Sequence, residues 1–216
     1  MKSPMTTILC LEFASERRSA AVARDGVVLA ESHVLSGRAT SAPNLIGTAL
    51  RDAGLSPSDV NHLALGVGPG SYTGIRRAIA TMQGWHLARG TPISPVNSFL
   101  TLAAIAAREF PAPVLLATDA QRGEWAVVEA HQGHLGGELR LVARAELDAW
   151  ITAGKQVISP DAHLTGATRL FPTAAQAALL AFGMPAIPPE ALAAVYLREA
   201  SFVKAPPPRA LPAEPS

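Results

Sequence analysis

The sequence predicts an α/β fold in two lobes, with mixed sheets flanked by helices. Three observations carry that expectation. The apolar segments 7–13, 19–24 and 27–35 follow one another closely, and Asp25-Gly26 between the last two suits the tight turn that joins antiparallel strands. A strand-like run at 63–67 enters the glycine-rich stretch Gly68-Pro69-Gly70-Ser71-Tyr72-Thr73-Gly74 and then a helical pattern at 75–89. Beyond Pro111 and Pro113 a new series of strands begins, as expected where prolines mark a boundary.

Each element has its own signal. Ser41, with Pro43 just inside and Gly54 at the end, brackets a helix through Ala53, the arrangement that favours a cap at the start and glycine at the close. Its apolar positions Leu45, Ile46, Ala49, Leu50 and Ala53 recur at three and four and form one face. The 75–89 helix repeats the pattern with Ile75, Ala78, Ile79, Met82 and Trp85, and Gly90 ends it. Two readings of these faces stand side by side. They pack on the sheet, or part of them meets another protein. A short strand at 93–96 leads to Ser98, read as the cap of an alanine-rich helix at 98–108. Strands follow at 114–118, 125–130, 139–143 and 156–159, helices at 145–153 and 174–182, and a short helix at 190–195. The expected division is a first lobe at 1–98, a second at 99–204 and a disordered tail at 205–216, where five prolines occur without an apolar period.

Bulk properties narrow the function. The chain has 216 residues, 49% hydrophobic and only 16% charged, so much of its surface is apolar or covered by a partner. The net charge is +1 with no run of lysines or arginines, which argues against an independent grip on nucleic acid. The single cysteine, Cys10, lies in an apolar strand and reads as a buried, inert thiol. Glu12 interrupts the first apolar run, so a signal peptide is not expected, nor is a membrane span, and a reducing cytosol fits. Met5 offers an alternative start, with Met1 to Pro4 upstream.

The chemistry-bearing residues are few. The glycines at 68–74 favour a compact turn, and Ser71 or Thr73 can cap the helix after it. The same turn can present helix N–H groups to an anion. It is not a P-loop, because Gly74 is followed by Ile75 and Arg76 rather than lysine and a hydroxyl residue. The dinucleotide fingerprint fails where Ser71 stands in place of a third glycine. Glu12 at a strand end suits either a solvated charge or a carboxylate near a metal-bound nucleotide or a hydroxyl. The stretch from Asp119 to Glu124 reads as a plain hairpin loop, and His131 and His134 as solvated loop residues. No zinc-peptidase helix motif and no Gly-x-Ser-x-Gly elbow occurs. No metal site or cofactor is expected.

Taken as a unit, Gly68-Pro69-Gly70-Ser71-Tyr72-Thr73-Gly74-Ile75-Arg76 resembles the signature of the TsaB (YeaZ) family, the dimerization subunit of the bacterial tRNA threonylcarbamoyladenosine system. Three further stretches are similar to that family in the same order: the strand Ile8 to Ser15, Asp119 to Glu124, and Tyr196-Leu197-Arg198. The resemblance covers roughly residues 7–204. It implies the actin-like, RNase H-like fold. It also implies a subunit without catalysis, paired through its first two helices with a metal-bearing TsaD-type paralogue, joined by a TsaE-type ATPase and touching tRNA through the complex. A homodimer of the isolated chain is left open. On this reading Leu45, Ile46, Ala49, Leu50, Ile75, Ala78, Ile79, Met82 and Trp85 supply the partner interface. Departures from the family pattern at Glu12, Phe13 and Thr40-Ser41-Ala42 weaken a nucleotide site more than the scaffold. The rival reading is a small-molecule kinase or acyltransferase with Glu12 as general base and the glycine turn on phosphate, and a peptidase ranks last.

Overall fold

The computed structural model describes residues 5–35 and 41–195. The chain opens with β1 (Thr7–Glu12), β2 (Arg17–Arg24) and β3 (Val27–Leu35), which pair antiparallel in that order. After α1 (Ala42–Asp52), β4 (His62–Gly66) pairs parallel with β1, and β5 (Ile93–Val96) pairs parallel with β4. The sheet order is β3-β2-β1-β4-β5. Central β1 is buried along its whole length, as a strand covered on both faces must be, and its run is correspondingly apolar.

Each face of this sheet has its own cover. On one side Leu9, Leu11, Phe13 and Val22 meet α1 and α2 (Tyr72–Arg89). On the other, Ile8, Cys10, Ala21, Ala23 and Ala64 meet Ala174, Ala177, Ala178 and Ala181 of α5 (Ala174–Ala181). The alanines let α5 lie close to the strands.

The second sheet runs β11 (Thr168–Arg169), β10 (Val157–Ser159), β6 (Val114–Asp119), β7 (Glu124–His131), β8 (His134–Leu135), with β9 (Arg140–Ala143) also on β7. Phe99, Leu102, Ala103 and Ala106 of α3 (Ser98–Ala106) cover one face. Leu147 of α4 (Arg144–Thr152) joins Trp125, Val127 and Val142 on the other.

Several expectations need correction. The apolar residues Leu45, Ile46, Ala49, Leu50, Ile75, Ala78, Ile79 and Met82 are all buried in the chain's own first core, with Trp85 partly buried against it. Their side chains therefore form no docking surface; the sheet beneath them, itself apolar on that face, consumes the stripe. Helix α2 begins at Tyr72, three residues before the expected start, because Ser71 caps it. The cap of α3 is Asn97, whose Oδ1 accepts from the Phe99 and Leu100 amides, while the Ser98 hydroxyl is directed to Glu12. Residues 190–195 form no α-helix. A single 3-10 turn at Pro189–Ala191 gives way to extended chain, where the Val195 amide donates to the Val67 carbonyl. Moreover α5 packs on β1 and β2, Ile187 bridges Ile93, and Leu192 and Ala194 enter the first core. The chain thus returns to the first sheet inside the span expected to be a second lobe. Met1 to Pro4, Thr40, Tyr196-Leu197-Arg198 and the tail at 205–216 lie outside the described residues.

Candidate functional site

The glycine-rich turn is built against the end of β1. The Ser71 amide donates to the Ala14 carbonyl at 2.6 Å. Any Cβ on Gly70, which holds φ at +147°, would overlap that same carbonyl, and one on Gly74 would overlap the Phe13 carbonyl. Close approach of two backbones therefore accounts for these glycines. Ser71 completes the turn: its Oγ accepts from the Gly74 amide at 3.4 Å and its carbonyl accepts from the Ile75 amide at 2.9 Å.

Glu12 lies behind the turn, wholly buried. Its Oε1 accepts from the Ala14 amide at 2.8 Å and its Oε2 from the Ser98 hydroxyl at 2.9 Å. Ser98 Oγ in turn accepts from the Gly68 amide at 3.1 Å. The carboxyl fills space that only a glycine at position 66 leaves open, since a Cβ there would collide with it. Burial pushes its pKa up to about 7, against the opposing hydrogen bonds from Ala14, Ser98 and Phe13. Burial also raises the Cys10 thiol well above its ordinary range, with the Glu12 charge adding to the effect. Glu12 is neither a solvated strand-end charge nor a base facing a substrate: its oxygens are occupied inside the fold.

A cleft of about 630 Å³ opens where the two sheets' loops meet. Ser15, Arg18 and the exposed part of the turn, Gly70, Ser71, Tyr72 and Thr73, form one wall. Gly68, Pro69 and Gly74 are buried behind it. Thr118, Asp119, Gln121, Asp161 and His163 form the other wall. The stretch after Asp119 is a hairpin loop between β6 and β7, as expected, but it also builds this wall. Asp119 Oδ1 accepts from the Gln121 amide at 2.6 Å, and its Oδ2 lies 3.3 Å from His163 Nε2. Asp161 Oδ2 accepts from the Thr118 hydroxyl and the Asp119 amide, each at 2.9 Å. Sequence reasoning missed Arg18, Asp161 and His163 because no spacing links them; the ends of β2 and β10 bring them together. His131 and His134 are exposed, as read, but they are not loop residues: they end β7 and begin β8, paired across the turn, and lie away from the cleft. Among the described residues no group of three or more His, Cys, Asp or Glu is placed to hold a metal ion.

The outward faces of α1 and α2 carry a second feature. Gly47 and Gly84 lie inside these helices with open space where a Cβ would be, although glycine in a helix costs about 0.5–1 kcal/mol relative to alanine. On α2 they are accompanied by exposed Ala80, Ala88 and Leu87, the last 88% exposed. Among the described residues no helix is long and apolar enough to cross a membrane.

Known proteins resemble the chain in sequence and in fold. The family described as TsaD, tRNA N6-adenosine threonylcarbamoyltransferase, matches residues 36–186. The tRNA threonylcarbamoyladenosine biosynthesis protein TsaB of Escherichia coli K12 is 33% identical over 162 residues, 68% of this chain and 70% of that protein. The protein of the same name from Bacillus subtilis 168 is 30% identical over 120 residues, 55% of this chain and 52% of that protein. The solved structure of YeaZ from Pseudomonas aeruginosa matches with a TM-score of 0.73 at 27% identity, covering 89% of this chain and all 100% of that one. The two-sheet architecture is accordingly the actin-like, RNase H-like fold.

Proposed function

This chain belongs to the TsaB family, and on that premise we propose that it is a non-catalytic scaffold subunit of the machinery that forms threonylcarbamoyladenosine in tRNA. Its partner is a TsaD-type, metal-bearing paralogue that carries out the transfer. A TsaE-type ATPase joins them, and tRNA is met through the assembly rather than by this chain alone. The reducing interior of the cell is the compartment this role requires. When the partner is absent, the same surface is free to pair two copies of the chain.

One observation carries the docking surface: the exposed face of α2 with Ala80, Gly84, Leu87 and Ala88, and the exposed Gly47 of α1. Small residues there let a partner helix approach closely, and among the described residues nothing lies within 4 Å of where a Cβ on Gly47 or Gly84 would be. This replaces the inward stripe as the interface. The rival enzyme reading loses its general base, because Glu12 is sealed and bonded within the fold.

The test is co-purification with the TsaD-type paralogue of the same genome. The wild-type chain is expected to form a stable complex, and Leu87→Glu to weaken it at least tenfold while melting within a degree or two of wild type. A chain that never associates, in cells whose tRNA stays fully modified when it is deleted, refutes the scaffold role.

A further inference from the structure

Glu12 joins four parts of the chain. It ends β1 in the first sheet, while Ser98, whose hydroxyl donates to its Oε2 at 2.9 Å, begins α3 over the second sheet. Ser98 is also bonded to the glycine-rich turn in both directions. Its amide donates to the Gly68 carbonyl at 2.8 Å, and its Oγ accepts from the Gly68 amide at 3.1 Å. The other carboxyl oxygen accepts from the Ala14 amide at 2.8 Å, and the Ala14 carbonyl accepts from the amide of Ser71, the cap of α2. One buried side chain thus connects the end of β1, the turn, the cap of α2 and the start of α3.

Both Glu12 oxygens act as acceptors, which suits a carboxylate and leaves no acceptor for a proton. Oε1 faces a backbone N–H, which cannot be reversed. Oε2 faces a hydroxyl, which can rotate, so a proton arriving on Glu12 settles on Oε2 and is donated to Ser98 Oγ. The Ser98 hydrogen then has to leave Oε2, and among the described residues it has no second acceptor. Its oxygen meanwhile has to serve two donors, the carboxyl hydroxyl and the Gly68 amide. A buried hydroxyl left without an acceptor is costly, and the longest contact, the one to Gly68, is the one that yields. The network is complete only while Glu12 is charged. Yet Glu12 is fully buried, and burial drives it the other way, to a pKa of about 7. No charged side chain of β2, β4, α2, α3 or α5 perturbs it; α3 and α5 contain none, β2 places Ser19 opposite it, and the titratable group it does influence is the Cys10 thiol on β1.

We propose that Glu12, Ser98 and Gly68 form a proton-operated clip between the two sheets: charged Glu12 holds the glycine-rich turn against the start of α3, and a proton on Oε2 turns the Ser98 hydroxyl and loosens that joint. The proton comes from solvent and returns to it. The clip sets how firmly the second sheet is seated on the first, in the pH range around neutrality, and it is independent of the α2 docking face. Its local effect opposes the effect of Glu12 on the fold as a whole. Raising the pH ionises a buried group and lowers global stability, while the same event tightens the joint.

The experiment follows the full chain by NMR from pH 5.5 to 8.5. The carboxyl carbon of Glu12 reports its protonation. Hydrogen exchange of single amides, corrected for the intrinsic dependence of exchange on hydroxide, reports the joint. The Gly68 amide is expected to gain at least tenfold in protection as Glu12 ionises, with the same midpoint, while the Leu116 amide inside β6 gains none. Glu12→Gln, whose side-chain amide donates to Ser98 as the protonated carboxyl does, is expected to hold Gly68 at the low-protection value at every pH. Ser98→Ala is expected to remove the response at Gly68 and to leave Glu12 titrating at a higher pH, since the Ser98 bond favours the charged form. Gly68 protection that stays constant while Glu12 titrates overturns the clip. So does the wild-type response surviving in Glu12→Gln, or a Glu12 carboxyl that does not titrate in this range. Should Glu12→Gln fail to fold, Ser98→Ala decides, and an unchanged Gly68 response in that variant refutes the proposal. Complex formation with the paralogue is measured separately, so either reading can fail alone.

Discussion

Replacing Glu12 by glutamine tests the buried carboxyl directly. The side chain keeps its shape and an acceptor oxygen for the Ala14 amide or Ser98 hydroxyl, but no longer titrates. Burial raises the Glu12 pKa from 4.5 to about 7; at about 1.4 kcal/mol per pH unit, ionised Glu12 is roughly 3 kcal/mol less well tolerated in the folded chain than in the unfolded one. The sign follows from which state holds the proton. Below pH 4.5 both states are protonated and the native fold carries no penalty from this group. Between 4.5 and 7 the unfolded chain ionises first, so stability falls as pH rises, and above 7 the loss is complete. The glutamine variant lacks this dependence. Urea unfolding of both proteins at pH 5, 6, 7 and 8 is expected to show glutamine gaining about 2–3 kcal/mol on wild type across the range. Parallel curves for the two proteins refute the reasoning, because they mean the carboxyl is no harder to ionise folded than unfolded.

Other substitutions separate the turn, the core and the surface. Gly74→Ala places a Cβ on the Phe13 carbonyl and is expected to destabilise by more than about 1–3 kcal/mol in urea unfolding. Gly84→Ala has open space around it; the isolated chain should gain about 0.5–1 kcal/mol, yet association with the paralogue should weaken in a pull-down. Met82→Lys buries a charge in the first core and is expected to abolish cooperative melting, rather than to weaken docking alone.

The strand and helix frame was legible because its signals are local. Asp25-Gly26 marks the β2–β3 turn, Ser41 and Gly54 bracket α1, and Gly90 closes α2 in the left-handed conformation. The start of α2 was not, since Tyr72-Thr73-Gly74 reads equally as turn. Periodicity identified the apolar faces of α1 and α2 but not what covers them; the opposing surface, from Leu9 to Val22, comes from strands many residues away. Glu12 reads as exposed because a lone charge at a strand end is usually solvated, and its partner Ser98 lies 86 residues further along. The cleft was invisible for the same reason: Arg18, Asp119 and Asp161 share no spacing, only the strand ends that place them.

The return of α5 to the first sheet bears on how the chain is made. Residues Ile8, Cys10 and Ala64 stay bare on one face until Ala174–Ala181 has been synthesised, so a fragment ending at residue 98 exposes a greasy sheet and is prone to clump. During translation the amino-terminal strands must wait, uncovered, until Ala174–Ala181 has emerged, and holding chaperones have their longest window on those strands.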